Sequence, residues 1–254
     1  MELLIAAAIA IGLNLFLFVP AFFFKTDKLT DFSYTLSFFI VGATLFTLST
    51  QTLLHALLLL MITLWALRLG GYLFIRIHKI KKDKRFDGKR ESFLWFFRFW
   101  FIQGVSVFVI LIPSTYFFAA DNPSLNTLTI VGFLVWFFGL LVEGFADYQK
   151  YTFINNEANK GKWIDTGLWK YSQHPNYFGE ITVWVGVFLF TCSVLVGTEY
   201  VYALSSPLFI IILLLFISGI PILDKAANER WGSEHAYQEY KRRTSKLIPW
   251  FNKK

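Results

Sequence analysis

VYALSSPLFIIILLLFISGIPIL, residues 201–223, is a run of 23 residues without one charge. An α-helix rises about 1.5 Å per residue, so a run of this length can cross the ~30 Å hydrocarbon layer with its backbone hydrogen bonds satisfied internally. Working outward from it, six further runs read the same way: Leu3–Phe24, Phe32–Leu48, Leu53–Ile77, Phe93–Phe118, Leu128–Phe145 and Tyr177–Gly197. The expectation is an all-α integral membrane protein with seven transmembrane helices. Composition agrees. Of the 254 residues, 56% are hydrophobic and 16% charged, with a mean hydropathy of +0.52. Soluble domains carry nearer a quarter charged residues, so a water-soluble globule and a disordered chain are both excluded. The single cysteine, Cys192, excludes an internal disulfide and a cysteine-based zinc or iron–sulfur site.

The +7 net charge is distributed unevenly. Twenty-one of the 24 Lys and Arg residues fall in the first, third and fifth connections and the tail, and none in the second, fourth and sixth, around Thr50, Asn122 and Glu199. The positive-inside rule then places the N-terminus outside and the C-terminus in the cytoplasm. Glu2 stands where a signal peptide carries positive charge, so the first span is expected to stay in the mature protein. No repeat, low-complexity tract or Pro/Gly/Ser linker divides the chain. A single polytopic membrane domain over 1–254 is expected, with the longest connections, and room for a site, on the cytoplasmic side.

Ionisable groups inside spans are costly and mark candidate sites. Trp65, Arg68 and Tyr72 share a helical face by their spacing, and Arg68 reads equally as a pocket residue or half of an ion pair. Arg76 and Arg98, near span ends, read as side chains reaching the interface. His55, a turn beyond Gln51, reads as a satisfied buried histidine, and Gln103 as an interhelical hydrogen-bonding residue. Glu143 and Asp147 lie one turn apart, available to Lys150 or to a polar ligand. The segment Gly167–Glu180 (GLWKYSQHPNYFGE) has the marks of a helix start at Pro175, with Asn176 and Glu180 one turn apart. A helix N-terminus beside Lys162 and Lys170 suits an anion. Glu180 needs hydrogen-bond donors there, from a ligand or from a structural partner such as Arg68 or Arg98. The tail from Asp224 interleaves Trp231, Tyr237, Tyr240, Leu247, Ile248 and Trp250 with basic residues. It reads as an amphipathic segment at headgroup level or a cover over a cofactor.

The run from Gly167 to Glu180, with Asp147-Tyr148 upstream and Tyr237-x-x-Tyr240 … Leu247-Ile-Pro-Trp250 downstream, resembles the C-terminal domain of steroid 5-alpha-reductases, in its microbial branch. The resemblance covers about Trp65 to Trp250. It implies a seven-helix membrane reductase holding NADPH from the cytoplasmic side and reducing a carbon–carbon double bond conjugated to a carbonyl in a lipidic, steroid-like or isoprenoid-like substrate. The cofactor half would span about 143–250. Carried across position by position, Asp147, Asn176 and Glu180 match polar cofactor contacts, and Lys162 and Lys225 stand where the family has basic residues. Tyr177 falls in the motif without a separate role. The family's Tyr-x-x-Arg pattern is met by Trp65-x-x-Arg68. The family pairs a Glu with that Tyr, and the Glu has no match here. Indole donates a hydrogen bond but is no useful acid, so either Arg68 or Tyr72 is the catalytic group polarising the carbonyl, or this branch has a different substrate and chemistry.

A second family shares part of the pattern. In isoprenylcysteine- and phospholipid-type membrane methyltransferases, His174-Pro175-x-Tyr177-x-Gly179 and Glu229 ahead of Gly232, Tyr237 and Tyr240 would serve S-adenosylmethionine. Glu180 after the glycine and Asp147 favour the reductase, and Gln173 stands where the methyltransferases have Arg. A non-enzymatic membrane binding or scaffold protein is the third reading. The expected partners are the lipid bilayer and a lipidic small molecule. No nucleic-acid, protein or metal partner is indicated, and the expected location is a bacterial cytoplasmic membrane, or the endoplasmic reticulum in a eukaryote.

Overall fold

The computed structural model describes residues 1–80 and 86–251, with side chains described outside 76–80. The basic residues read at Arg76, Lys79, Lys81, Lys82, Lys84, Arg85, Lys253 and Lys254 lie outside the described side chains. The described residues are 77% helical and form no strand. Four long helices open the chain: α1 (Glu2–Phe23), α2 (Lys28–Leu48), α3 (Leu53–Ile80) and α4 (Phe93–Ala119). They are followed by α5 (Thr127–Ile154), α6 (Pro175–Thr191), α7 (Glu199–Ile212), α8 (Ile220–Trp231) and α9 (His235–Arg243). Among the described residues, six helical stretches are long and apolar enough to cross a membrane: α1, α2, most of α3, α4, α5 and the stretch Glu199–Trp231. This is a multi-pass membrane protein.

Two of the expected spans differ in their helices. The run Tyr177–Gly197 yields only α6, of 17 residues. Thr191 turns its hydroxyl onto the Phe188 carbonyl at 2.8 Å, and Gly197 takes φ +52°. Residues 192–198 therefore form a turn, in which Glu199 Oε2 accepts from the Val196 N–H at 3.0 Å. The run that opened the sequence is also broken. After α7 the chain makes a π-helical turn, Leu213–Ile217, and the Ser218 N–H reaches back to the Leu213 carbonyl at 2.8 Å. A Cβ on Gly219 would strike the Leu214 carbonyl, so glycine is required there, and Pro221 sits in the first turn of α8. Apolarity alone did not encode this break.

The chain's contacts group into two compact units, residues 1–130 with 187–206, and residues 131–186 with 207–254. In the first, α1 packs on α4 so closely that a Cβ on Gly104 would lie 2.8 Å from the Ile11 Cα. Small residues at such crossings let backbones approach where lipid offers no hydrophobic drive. A buried polar clasp joins three helices. Gln103 Nε2 lies 2.8 Å from Asn14 Oδ1, 2.7 Å from Ser33 Oγ and 2.9 Å from the Thr30 carbonyl. Asn14 Nδ2 donates to Ser37 Oγ at 2.9 Å. Gln103 is thus the interhelical residue expected, and Asn14 is the partner the sequence reading missed.

At one end of this unit, Arg90 is buried and pairs with buried Asp27 at 3.1 Å and with Asp87 at 2.9 Å. At the other, His55 is fully buried, with Nε2 2.9 Å from the Phe117 carbonyl and Nδ1 3.2 Å from Thr52 Oγ1. A carbonyl only accepts, so Nε2 carries the hydrogen. Arg98 is exposed on α4.

Candidate functional site

The second unit is built on the crossing of α5 and α6. Three glycines remove the side chains that would keep the helices apart. A Cβ on Gly139 would meet the Val183 nitrogen at 2.6 Å, one on Gly179 would meet the Glu143 nitrogen at 2.6 Å, and one on Gly186 would collide with the Trp136 backbone. This contact brings the polar residues together. Asn176, in the first turn of α6, donates from Nδ2 to Asp147 Oδ1 at 3.1 Å. Glu143, one turn before Asp147, is 2% exposed and lies against Gly179. Glu180 follows Gly179, one turn beyond Asn176, and is half-buried. Asn176 Oδ1 is buried and meets no hydrogen-bond donor among the described residues. The arrangement offers carboxylate and amide oxygens to hydroxyl and amide donors.

The segment entering α6 is fixed from both sides. Gly167 takes φ +60° with its Cα face against Gln149, whose Oε1 accepts from the Leu168 N–H at 2.9 Å. Trp169 is buried and donates from its indole to the Ala146 carbonyl at 3.0 Å, while the Lys150 ammonium lies 4.8 Å from the centre of its ring. On the other side the tail folds back. Tyr240 donates to the Trp169 carbonyl at 2.9 Å, and Ser172 Oγ donates to the Leu247 carbonyl at 2.6 Å. Gln173 donates from Nε2 to the carbonyls of Lys241, at 3.0 Å, and Thr244, at 2.8 Å. These carbonyls end α9 and have no partner within a helix, so Gln173 serves as its C-terminal cap. Tyr237 and Tyr240 are buried, and burial pushes both phenols above their ordinary value. The tail is held here by specific hydrogen bonds, with Trp250 and Phe251 left exposed.

His174 was not singled out in the sequence beyond its place in the motif. It is buried, stacks on Tyr177 at 5.7 Å between ring centres, and points Nε2 at Asp224 Oδ1, 3.4 Å away, while Lys246 pairs with the other oxygen at 3.2 Å. Burial lowers the His174 pKa, and the hydrogen bond to Asp224 opposes that shift without cancelling it. The neutral imidazole, with its hydrogen on Nε2, therefore links the start of α6 to α8. A His–Asp pair separated by fifty residues leaves no local mark in the sequence.

Lys162 and Lys225 are exposed. Their neighbours make the contacts: the Gly161 carbonyl accepts from the Trp231 indole, and Asp224 holds His174. Glu229 is exposed on α8. In the first unit, Trp65 is fully buried with its ring 4.9 Å from Phe38 in an edge-on contact, so it serves the core. Arg68 and Tyr72 are half-buried on the same face of α3.

No curated protein and no solved structure matches the chain. A family does: the one described as "Protein of unknown function (DUF1295)" matches residues 17–244 and is associated with steroid 5-alpha-reductase-like proteins. With the match running over nearly its whole length, the chain belongs to that family.

Proposed function

We propose that this protein is a membrane-embedded reductase that holds NADPH at the α5–α6 crossing and reduces a carbon–carbon double bond conjugated to a carbonyl in a lipidic, steroid-like or isoprenoid-like substrate. The observation that carries this reading is Asn176. Its amide nitrogen is committed to Asp147, while its buried oxygen meets no donor among the described residues. A buried acceptor without a partner costs about 1–3 kcal/mol, and an amide or hydroxyl of a bound ligand removes that cost. The acceptors Asp147, Glu143 and Glu180 beside it suit ribose hydroxyls and a carboxamide, and repel phosphate. Lys162 and Lys225 are the cations offered to the phosphates. These acceptors and cations suit the cofactor, which would supply a hydride when bound.

The chain's own residues divide the remaining work. Asp147, Asn176 and Glu180 bind and orient by accepting and donating hydrogen bonds. Arg68 and Tyr72 polarise the carbonyl oxygen of the substrate. The guanidinium keeps its proton at all relevant pH, so Tyr72 Oη is the group that gives one up. We propose further that α6 is a seventh crossing. Its 17 residues lie at the short end of the spanning range of roughly 17–25. With seven crossings the charge bias sets the N-terminus outside and the cofactor site on the cytoplasmic face, in a bacterial cytoplasmic membrane or the endoplasmic reticulum of a eukaryote.

Thermal unfolding in detergent tests the cofactor. A ligand at 100 times its Kd stabilises the folded state by about 2.7 kcal/mol. NADPH is expected to raise the melting temperature of the wild type and not that of Asn176→Ala or Glu180→Ala. A shift with S-adenosylmethionine and none with NADPH overturns the reductase reading in favour of the methyltransferase.

A further inference from the structure

Between α2 and α3, within the first unit, lies a groove of about 580 Å³. Its floor exists because α3 carries Ala66, Gly70 and Gly71 where larger side chains would fill the space. Gly70 closes onto α2, where a Cβ would lie 2.9 Å from Thr35 Oγ1. At Gly71 a Cβ would meet nothing within 4 Å. The walls are Phe32, Phe39, Leu67 and Phe74, between 43% and 67% exposed on helices that are candidate membrane spans.

The hydroxyls of the interior are already donated within the protein. Thr63 donates its hydroxyl to the Leu59 carbonyl at 2.7 Å, and the Thr35 hydroxyl lies 3.2 Å from the carbonyls of Asp31 and Phe32 on its own helix. Polarity is confined to one end, where Lys28 opens α2 and is exposed. Asp31 lies at the same end and is engaged within the protein. On α2 the lining runs from Lys28 to Phe39, about 17 Å at 1.5 Å per residue. That is a little over half of the ~30 Å hydrocarbon layer, the depth of one leaflet. The groove also lies on the side of α3 opposite Trp65, Arg68 and Tyr72, since successive residues turn by about 100°.

We infer that this groove is a binding site for a bilayer phospholipid, with one acyl chain laid along the slot and its phosphate at Lys28. The shape selects a chain, the spent hydroxyls exclude a polar body, and the cation at the membrane-surface end selects an anionic headgroup atom. The site is separate from the proposed reductase chemistry, and its test reads lipid, not turnover.

Native mass spectrometry of the detergent-purified protein is the experiment, with delipidated protein then titrated with palmitoyl-oleoyl phosphatidylglycerol or with the diacylglycerol of the same chains. The wild type is expected to retain one phospholipid and to bind the phosphatidylglycerol more tightly than the diacylglycerol. Gly71→Leu, whose side chain enters open space, is expected to weaken binding about tenfold, and Lys28→Gln about fivefold for the phospholipid only. Ala66→Leu fills the same slot from a second position and serves if Gly71→Leu is poorly folded. Equal retention in the filled variants, equal affinity for the diacylglycerol, or a phosphorus-free lipid in the wild type each overturns the assignment.

Discussion

Asn176 donates a 3.1 Å hydrogen bond from its side-chain nitrogen to Asp147 Oδ1, tying the first turn of α6 to α5 across 29 residues of chain. The bond fixes the amide so that its oxygen, and not its nitrogen, is offered to the interior. In a double-mutant cycle of Asn176→Ala and Asp147→Ala, followed by unfolding in detergent, a coupling of about 1.5–3 kcal/mol is expected for a hydrogen bond to a charged group. Additive losses would show that the two side chains do not act as a pair.

The glycine contacts of α5 and α6 predict steep costs for the smallest substitutions. At Gly179 and Gly186 an added methyl group would overlap the backbone of the facing helix, which cannot yield as a side-chain tip can. Gly179→Ala and Gly186→Ala are expected to destabilise by about 1–3 kcal/mol through overpacking, and Gly71→Ala by no more than a surface substitution. Melting temperatures of the three variants decide this.

Gln173 caps α9 by way of two carbonyls. Its replacement by Ala leaves both without that donor and is expected to cost about 1–3 kcal/mol locally. The checkable consequence is faster proteolysis after Lys241, Arg242 or Arg243 while the melting of the remainder is little changed. Unaltered cleavage would show that the tail is held without the Gln173 side chain, by backbone bonds such as that from the Gln173 N–H to the Ser245 carbonyl.

His174 gives the pH dependence. Burial lowers its pKa in the folded protein below the ordinary 6.5, so below 6.5 the unfolded chain binds more protons than the folded one. The stability tied to the neutral imidazole is present above about pH 6.5 and is lost as pH falls through the folded value. Melting temperatures measured from pH 8 to pH 5 are expected to drop more steeply for the wild type than for His174→Gln. Parallel curves would remove His174 as the source.

The buried Arg90 guanidinium balances Asp27 and Asp87. Truncating Asp27 removes one of the two acidic partners of a buried guanidinium that keeps Asp87, and Asp27→Ala is expected to cost about 1–3 kcal/mol. Replacing Asp27 and Arg90 together by apolar residues is expected to recover part of that loss in the same unfolding assay.

Five of the long helices were legible because each was a local property. Leu3–Phe24 or Leu53–Ile77 is long enough to cross lipid as a helix, the one form in which a single segment satisfies its own backbone. The neighbour relations of Asn176 and Glu180, or of Glu143 and Asp147, were legible for the same reason, since one turn of helix is set by four residues of sequence. The roles of Gln103 and His55 followed from the cost of leaving a buried polar group unpaired.

What the sequence determined by itself was therefore apolar length, charge placement and the spacing within each helix. Where a helix stops, which helices touch and which polar groups meet were decided by the tertiary structure. Residues 192–198 form a turn and Gly219 breaks an uncharged run, although their hydropathy matches the spans around them. Asn176 finds Asp147 because glycines at 139, 179 and 186 let α5 and α6 come into contact, and His174 finds Asp224 across fifty residues of chain. Such meetings depend on steric fit between segments distant in the chain, and no period or composition within either segment records the shape of the other.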